Sequence, residues 1–179
     1  MTNVRAILVG TLAAMLLTVG FTVASSAGNG PGLDDEALVG AWRSRVQFTS
    51  GAFATVKDLE LMYAFNAGGT MTESSNYDGS PPVPPAYGVW RRVQAGQYEA
   101  RYSFYVSRPP QAFEDIARGG GWSPAGIGVI VEKIVLAADG RTYTSTLRVD
   151  IFDQAGKLVE SGSEAFGRGS RMDFKSRSP

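Results

Sequence analysis

The chain has 179 residues, with 17 Lys and Arg against 17 Asp and Glu, and it contains no His and no Cys. This length is typical of one domain, and an apolar fraction of 44% is enough to bury a core. The missing Cys and His exclude disulfides, thiolate or imidazole metal sites, and any catalytic triad that needs histidine. Balanced charge argues against nucleic-acid binding, which depends on an excess of Lys and Arg.

The first 27 residues are typical of a secretory signal peptide. One positive charge at Arg5 precedes an uncharged, mostly apolar stretch over 6–24, and small residues follow up to Ala27. We predict cleavage after Ala27, a flexible Gly-rich leader over 28–36, and a secreted or periplasmic location. The alternative is an uncleaved segment that anchors the protein in a membrane.

Residues 37–172 are predicted to form one all-β domain, followed by a polar tail over 173–179. After a short helical turn that ends near Val39, apolar and polar residues alternate in about eight segments, the pattern of strands with one buried face. The predicted strands span 42–48, 59–65, 70–76, 87–93, 97–106, 127–136, 142–151 and 157–166.

The links between these segments indicate antiparallel neighbours. Short links that contain Gly lie at 66–69, 94–96, 138–140 and 153–156. Tight hairpins need such residues, and a parallel crossover would need a dozen or more. Two connections are longer: a Pro-rich loop over 78–86 and an insert over 108–124 that carries a short helix. Eight sequential strands predict an up-and-down barrel, since closure removes exposed edges; a sandwich or an open half-barrel is the alternative.

Four motifs resemble, in order, a group of uncharacterised secreted bacterial lipocalin-like proteins of the calycin type. They lie at residues 40–42 (GAW), 65–70 (FNAGGT), 87–92 (YGVWRR) and 152–156 (FDQAG). The resemblance implies an eight-stranded barrel in which Gly40 opens the first strand and Trp42 plugs one end. It also implies that an Arg from the last strand, either Arg168 or Arg171, packs across that Trp. The chain lacks the Thr-Asp-Tyr motif and the disulfide of true lipocalins, so the resemblance implies a fold rather than a ligand.

Aromatic side chains in the inward phase of their strands form the predicted ligand site. They are Tyr63, Phe65, Tyr102, Phe104 and Tyr143. Phenol groups among apolar walls would orient a small ligand in a shared cavity. The alternative is a filled barrel whose Tyr hydroxyls reach the rim. The phase of Trp90 is ambiguous.

Charged residues show no pattern typical of catalysis. Glu60, Glu73 and Glu99 are predicted to face outward as solvated charges. Arg91 and Arg92 are adjacent and therefore point to opposite faces. One of them could enter the barrel and bind a carboxylate, and a structural or exposed role is the alternative. No spacing of residues indicates a metal or cofactor site.

The predicted function is binding of a small, mostly apolar molecule without turnover. Access would lie at the end lined by the loop 78–86 and the insert 108–124, where Phe113, Ile116 and Trp122 are candidates for a lid. One alternative is an enzyme of the barrel-cyclase or isomerase kind, which resembles allene-oxide-cyclase barrels and would use Tyr or Glu as acid–base groups. Another is a surface module that docks a partner protein. No cofactor, metal or nucleic acid is expected.

Overall fold

A computed structural model describes residues 37–77, 84–118 and 121–174. In it, eight antiparallel strands form a closed barrel in which each strand pairs with its neighbours in the chain and the last strand pairs with the first. The strands are β1 (Gly40–Phe48), β2 (Leu59–Phe65), β3 (Thr70–Ser75), β4 (Ala86–Gln94), β5 (Gln97–Arg108), β6 (Ser123–Leu136), β7 (Thr142–Asp153) and β8 (Leu158–Arg171). The predicted eight-stranded antiparallel barrel is therefore confirmed. The predicted signal peptide and leader lie outside the described residues.

The period-two pattern sends alternate side chains into the barrel and out to solvent. β7 shows this most regularly. Its buried side chains are Tyr143, Ser145, Leu147 and Val149, and its exposed ones include Thr142, Thr144 and Thr146. In β4 the ambiguous Trp90 is buried, whereas Tyr87 and Val89 are exposed.

The two ends of the barrel carry different connections. The short links 66–69, 95–96 and 137–141 lie at one end, which we call the closed end. The long connections 49–58, 76–85 and 109–122 all join strands at the other end, the open end. A 3-10 helix (Ala52–Thr55) that the sequence pattern did not predict lies in the first of these, and the predicted helix of the insert is α1 (Phe113–Ala117). No helix in the described parts of the chain is long and apolar enough to cross a membrane.

Trp42 and Arg171 cover the closed end. Trp42 is completely buried, and its indole N–H donates to the carbonyl of Leu38 at 2.9 Å. The guanidinium carbon of Arg171, at the end of β8, lies 4.4 Å from the centre of the Trp42 ring, within cation–π distance. That guanidinium also donates to three backbone carbonyls, those of Ala37, Val39 and Gly140. These bonds tie the start of the described chain to its last strand.

β8 continues beyond residue 166, where the predicted strand ends. The prediction stops short because two glycines hide the alternation of apolar and polar residues there. Gly167 and Gly169 occupy inward positions, opposite Ser145 and Tyr143 on β7. A side chain at Gly169 would collide with the Tyr143 ring, since an added Cβ would lie 2.2 Å from it. An inward Gly adds no apolar residue to the pattern, so the sequence shows no strand there.

Candidate functional site

A pocket of about 90 Å³ lies at the open end of the barrel. Its aliphatic walls are Leu59, Leu61, Ile130, Leu147 and Val149. Four aromatic residues, which we call the aromatic rim, complete the apolar lining: Phe48, Phe53, Tyr77 and Phe104. Pockets for drug-sized ligands are several times larger. The space therefore suits a molecule of about the size of a single ring, or one end of a longer molecule.

The aromatic rim is built from segments that are distant in the chain. Phe48 ends β1, and Phe53 lies on the 3-10 helix that follows it, with the two ring centres 5.2 Å apart. Phe53 also meets Tyr77 edge-to-face at 5.6 Å. Tyr77, which precedes the Pro-rich loop, and Pro84, which lies in it, both line the pocket. The pocket therefore lies at the end of the barrel that carries this loop, and ligand access there stays a prediction.

Glu73 supplies the carboxyl group of the pocket, and the prediction that it faces outward is wrong. Its side chain is buried, with 7% of the residue's surface exposed, and its Oε1 atom has no hydrogen-bond partner. Burial raises the pKa of Glu73 to about 8, and the nearby charge of Glu132 adds to this effect. A carboxyl with such a pKa is mostly protonated at neutral pH.

A second carboxyl, Glu132 on β6, lies deeper in the barrel and takes part in a chain of buried polar groups. The Tyr102 hydroxyl donates to Glu132 Oε2 at 2.9 Å, and the hydroxyls of Tyr63 and Tyr102 lie 3.2 Å apart. Glu132 is fully buried, and burial raises its pKa. The hydroxyl of Ser145 lowers that pKa in part, although its geometry falls short of a hydrogen bond. Burial also raises the pKa values of both tyrosines well above the ordinary value.

The register of the tight hairpins could have revealed both carboxyls. Residues directly opposite each other in an antiparallel pair point to the same face. Counting outward from the 66–69 link places Glu73 opposite Tyr63, and counting from the 137–141 link places Glu132 opposite Leu147. Tyr63 and Leu147 both face inward, so their partners must do so too.

The five aromatic residues predicted to bind ligand all lie inside the barrel, but at different depths. Phe104 lines the pocket. Tyr63 stacks on Phe65 with ring centres 5.4 Å apart, and Phe65 meets Trp90 near the closed end. Tyr143 packs on Trp42 at 5.2 Å. Apart from Phe104, these rings fill the lumen below the pocket.

The remaining predicted residues lie away from the pocket. Arg168 is exposed on the outer face, so Arg171 is the arginine that covers Trp42. Gly40 adopts a φ of +136°, and a side chain there would meet the Arg171 guanidinium at 2.7 Å. Ile116 is exposed and Trp122 is half-buried, and no described side chain of the insert lines the pocket. The side chain of Phe113 lies outside the described residues, so the lid stays a prediction, and Phe53 lines the pocket from the 3-10 helix.

The other charged residues pair on the outer surface. Arg43 and Arg45 both contact Glu60, which agrees with the prediction that Glu60 faces outward. Arg91 pairs with Glu99 at 2.6 Å. Arg92 is the inward member of its pair, because it lies opposite the buried Tyr98. It is close to the 95–96 link at the closed end and donates to the Gln94 carbonyl at 3.3 Å, so it does not reach the pocket.

No cluster of acidic residues that could hold a metal ion occurs among the described residues. The groups available for binding or catalysis at the open end are an apolar surface, four aromatic rings and one protonatable carboxyl.

A scan against models of known protein families, a search of curated proteins and a search of solved structures each found no match to this chain.

Proposed function

We propose that this protein is an exported, lipocalin-like barrel that binds a small, mostly apolar molecule at its open end without turnover. The pocket at that end carries the proposal. Its walls are aromatic and aliphatic, and it contains a buried carboxyl oxygen, Glu73 Oε1, that no protein group satisfies. Protein ligand sites typically combine such walls with a few polar groups that orient the ligand.

The filled lumen supports binding near the rim rather than deep in the barrel. Trp42, Tyr143, Phe65 and Tyr63 occupy the space toward the closed end. No described residue of the pocket lining is Lys or Arg. Binding of an uncharged apolar ligand should therefore depend little on salt concentration.

Methyl-group NMR with benzyl alcohol as a probe tests this proposal. Titration should shift the methyl resonances of Leu61, Leu147 and Val149, which line the pocket. The methyl groups of Ile134, buried below the pocket among filled positions, serve as an internal control and should not move. Replacing Leu147 with Phe should fill the space and abolish the shifts.

Two outcomes would count against ligand binding. If benzyl alcohol, benzylamine and benzoate all cause no saturable shift, the proposal that this pocket binds a ligand is wrong. Shifts confined to outer-face residues such as Val89 and Val135, both exposed, would instead favour the surface interaction module.

Acid–base catalysis on the same pocket is a second candidate, because Glu73 has a pKa of about 8. Such a carboxyl can donate or accept a proton near neutral pH, which is what an isomerase or cyclase without His needs. Exchange of the α-protons of cyclopentanone in D₂O, followed by NMR, tests for this. A rate above that of buffer that disappears in Glu73→Gln would support catalysis. Equal rates with and without protein would exclude it for this substrate class.

A further inference from the structure

We infer that the ligand of this pocket is a small apolar amine in its protonated form. Its nitrogen would pair with Glu73, and its carbon skeleton would pack against the aromatic rim. The inference rests on the proposed binding function and adds the chemical class of the ligand. Three features of the pocket support it: the unpartnered carboxyl oxygen, the lack of Lys and Arg in the described lining, and the aromatic rings.

The ionisable groups that face Glu73 are all acids. They come from three strands around it: Tyr63 on β2, Tyr102 on β5 and Glu132 on β6. Its direct neighbour on β4 is Ala86, and Tyr77 is the other ionisable group in the described lining. An anionic ligand would find no opposite charge here and would further disfavour ionisation of these acids, whereas a cation would supply an opposite charge for ionised Glu73.

The Lys and Arg side chains of the described barrel lie away from the pocket. Arg43 and Arg45 pair with Glu60 on the outer face. Arg171 is half-buried, but it lies at the closed end with its guanidinium on Trp42 and on backbone carbonyls. In the described part of the chain, therefore, no Lys or Arg lines the pocket and competes for Glu73.

The aromatic rim adds a second interaction that favours a cation. Phe48, Phe53 and Tyr77 form a continuous set of rings, with neighbouring centres 5.2 and 5.6 Å apart, and Phe104 lines the same space. The face of an aromatic ring attracts a cation, and proteins use clusters of such rings to bind alkylammonium groups. A neutral ligand would gain apolar contact from the rim but neither the ion pair nor this attraction.

Binding of an ammonium ion should be coupled to release of a proton. Glu73 holds its proton up to a pH of about 8 in the free protein, because the site is buried and Glu132 is close. An ammonium group beside the carboxyl favours the ionised form, so Glu73 would lose that proton on binding. Affinity should then rise as the pH approaches 8, by up to about tenfold for each pH unit below it.

Isothermal titration calorimetry with benzylamine, benzyl alcohol and benzoate tests the inference on the full chain without the predicted signal segment. At pH 8 benzylamine should bind at least about tenfold more tightly than benzyl alcohol, because a hydrogen bond to a charged group outweighs a neutral one. Benzoate should not bind measurably. At pH 6.5, buffers of different ionisation enthalpy should show release of close to one proton for each benzylamine bound.

Glu73→Gln is the decisive variant, since Gln has nearly the same shape and should fit the buried site. It should remove the preference for the amine, the proton release and the pH dependence, while benzyl alcohol still binds. Glu164→Gln, which alters an exposed outer-face carboxyl, should bind benzylamine as the natural protein does. Circular dichroism would show that both variants are folded.

The outcomes separate this inference from the proposed function. If benzyl alcohol binds in the pocket as tightly as benzylamine, or if Glu73→Gln keeps the preference for the amine, the amine class is wrong although the binding function stands. If none of the three compounds binds, the proposed function itself fails.

Discussion

Two buried carboxyls distinguish this barrel from one filled only with apolar side chains. In each of them the Oε1 atom has no hydrogen-bond partner, and Glu132 accepts from the Tyr102 hydroxyl through Oε2. Of the two, Glu73 is the one that lines the pocket. Keeping a carboxyl neutral is the usual way to bury it, because an unpaired ion would cost several kcal/mol. Both pKa values are accordingly raised. Such groups are retained in a fold at a cost in stability, which is the physical reason to look for function there.

The stability of the protein should fall as the pH rises through neutrality. The folded chain holds the Glu73 proton up to a pH of about 8, whereas an ordinary Glu loses it near 4.5. Between these values the folded state binds more protons than the unfolded state, so increasing pH lowers the free energy of unfolding. Through Glu73, the free energy of unfolding should fall by up to about 1.4 kcal/mol for each pH unit. Urea denaturation at pH 5, 6, 7 and 8 measures it.

Glu73→Gln should reduce this pH dependence, and Glu164→Gln should leave it unchanged because Glu164 is exposed. Some dependence will remain in the first variant, since burial raises the pKa of Glu132 as well. A Glu73→Gln protein with the same slope as the natural one would show that Glu73 ionises normally.

The Tyr102 hydroxyl should matter for the fold. It lies between Tyr63 and Glu132 and is almost completely buried. Tyr102→Phe removes the donor to Glu132, so it should lower the free energy of unfolding by about 1–3 kcal/mol. Chemical denaturation measures this, with the exposed Tyr105 on the same strand as control. Tyr105→Phe should change stability by less than about 0.5 kcal/mol, and an equal effect of both variants would contradict the buried network.

At the scale of the strands, inward glycines make room for aromatic rings. Gly128 on β6 faces Phe104, and Gly169 on β8 faces Tyr143. In both cases an added Cβ would lie 2.2 Å from ring atoms, closer than any real contact. Pairing a missing side chain with a large one keeps the lumen filled at the density typical of protein interiors. In each of these strand pairs, therefore, the ring of one strand occupies the interior space that the glycine of the other strand leaves free.

Gly169→Ala should destabilise the barrel although its backbone conformation does not require Gly. The Tyr143 ring would have to move, and Trp42 packs against it at 5.2 Å. Overpacking of this kind costs about 1–3 kcal/mol. Thermal and urea denaturation would measure it, with Ser170→Ala on the outer face as the matched control. Equal stability of the two variants would mean that the closed end is loosely packed.

At the scale of the whole molecule, the two ends of the barrel have different roles. The closed end combines short hairpins with Trp42 and Arg171, which join the first and last strands. The open end carries the long connections and the pocket. Long connections can vary without disturbing the strand pairing, so the part of the aromatic rim that lies on them, Phe53 and Tyr77, can change while the scaffold stays intact.

Trp42→Ala should lower the free energy of unfolding by about 3–5 kcal/mol, as expected when a large core side chain is truncated. Trp42 is fully buried and contacts both Tyr143 and Arg171. Trp122→Ala, which alters a half-buried residue in the insert, is the control and should cost much less. A near-neutral Trp42→Ala, measured by denaturation followed by Tyr fluorescence, would show that the closed end does not depend on this residue.

Export is the prediction that concerns the whole chain. The segment that precedes residue 28 has the charge and apolar pattern of a signal peptide with small residues at its end. We expect the exported protein to begin at Gly28, and intact-mass measurement of secreted or periplasmic material checks this. Retention of Met1 in that material would support the membrane-anchor alternative.

Much of the architecture could be predicted from the sequence. Alternation assigned the inward phase of β2, β5 and β7, because apolar and polar residues differ clearly there. The Gly-containing links indicated antiparallel neighbours and thus the barrel. In β3 the inward residues are Met71, Glu73 and Ser75 and the outward ones are Thr or Ser, so the contrast is weak and the carboxyl was assigned to solvent. In β6 nearly every residue is apolar, which hid the phase of Glu132.

The sequence by itself determined the order and direction of the strands and the faces of those with clear alternation, because these depend on neighbours along the chain and on tight turns. Only the tertiary structure decided which side chains meet inside the barrel and where space remains between them. Closure of the barrel brought Glu73, Glu132 and two tyrosines from four strands together, and it selected Arg171 over Arg168 to cover Trp42. It also left a pocket at the open end, because the volumes of rings and glycines on opposite walls balance only in three dimensions. Spacing in a sequence carries no information about such volumes.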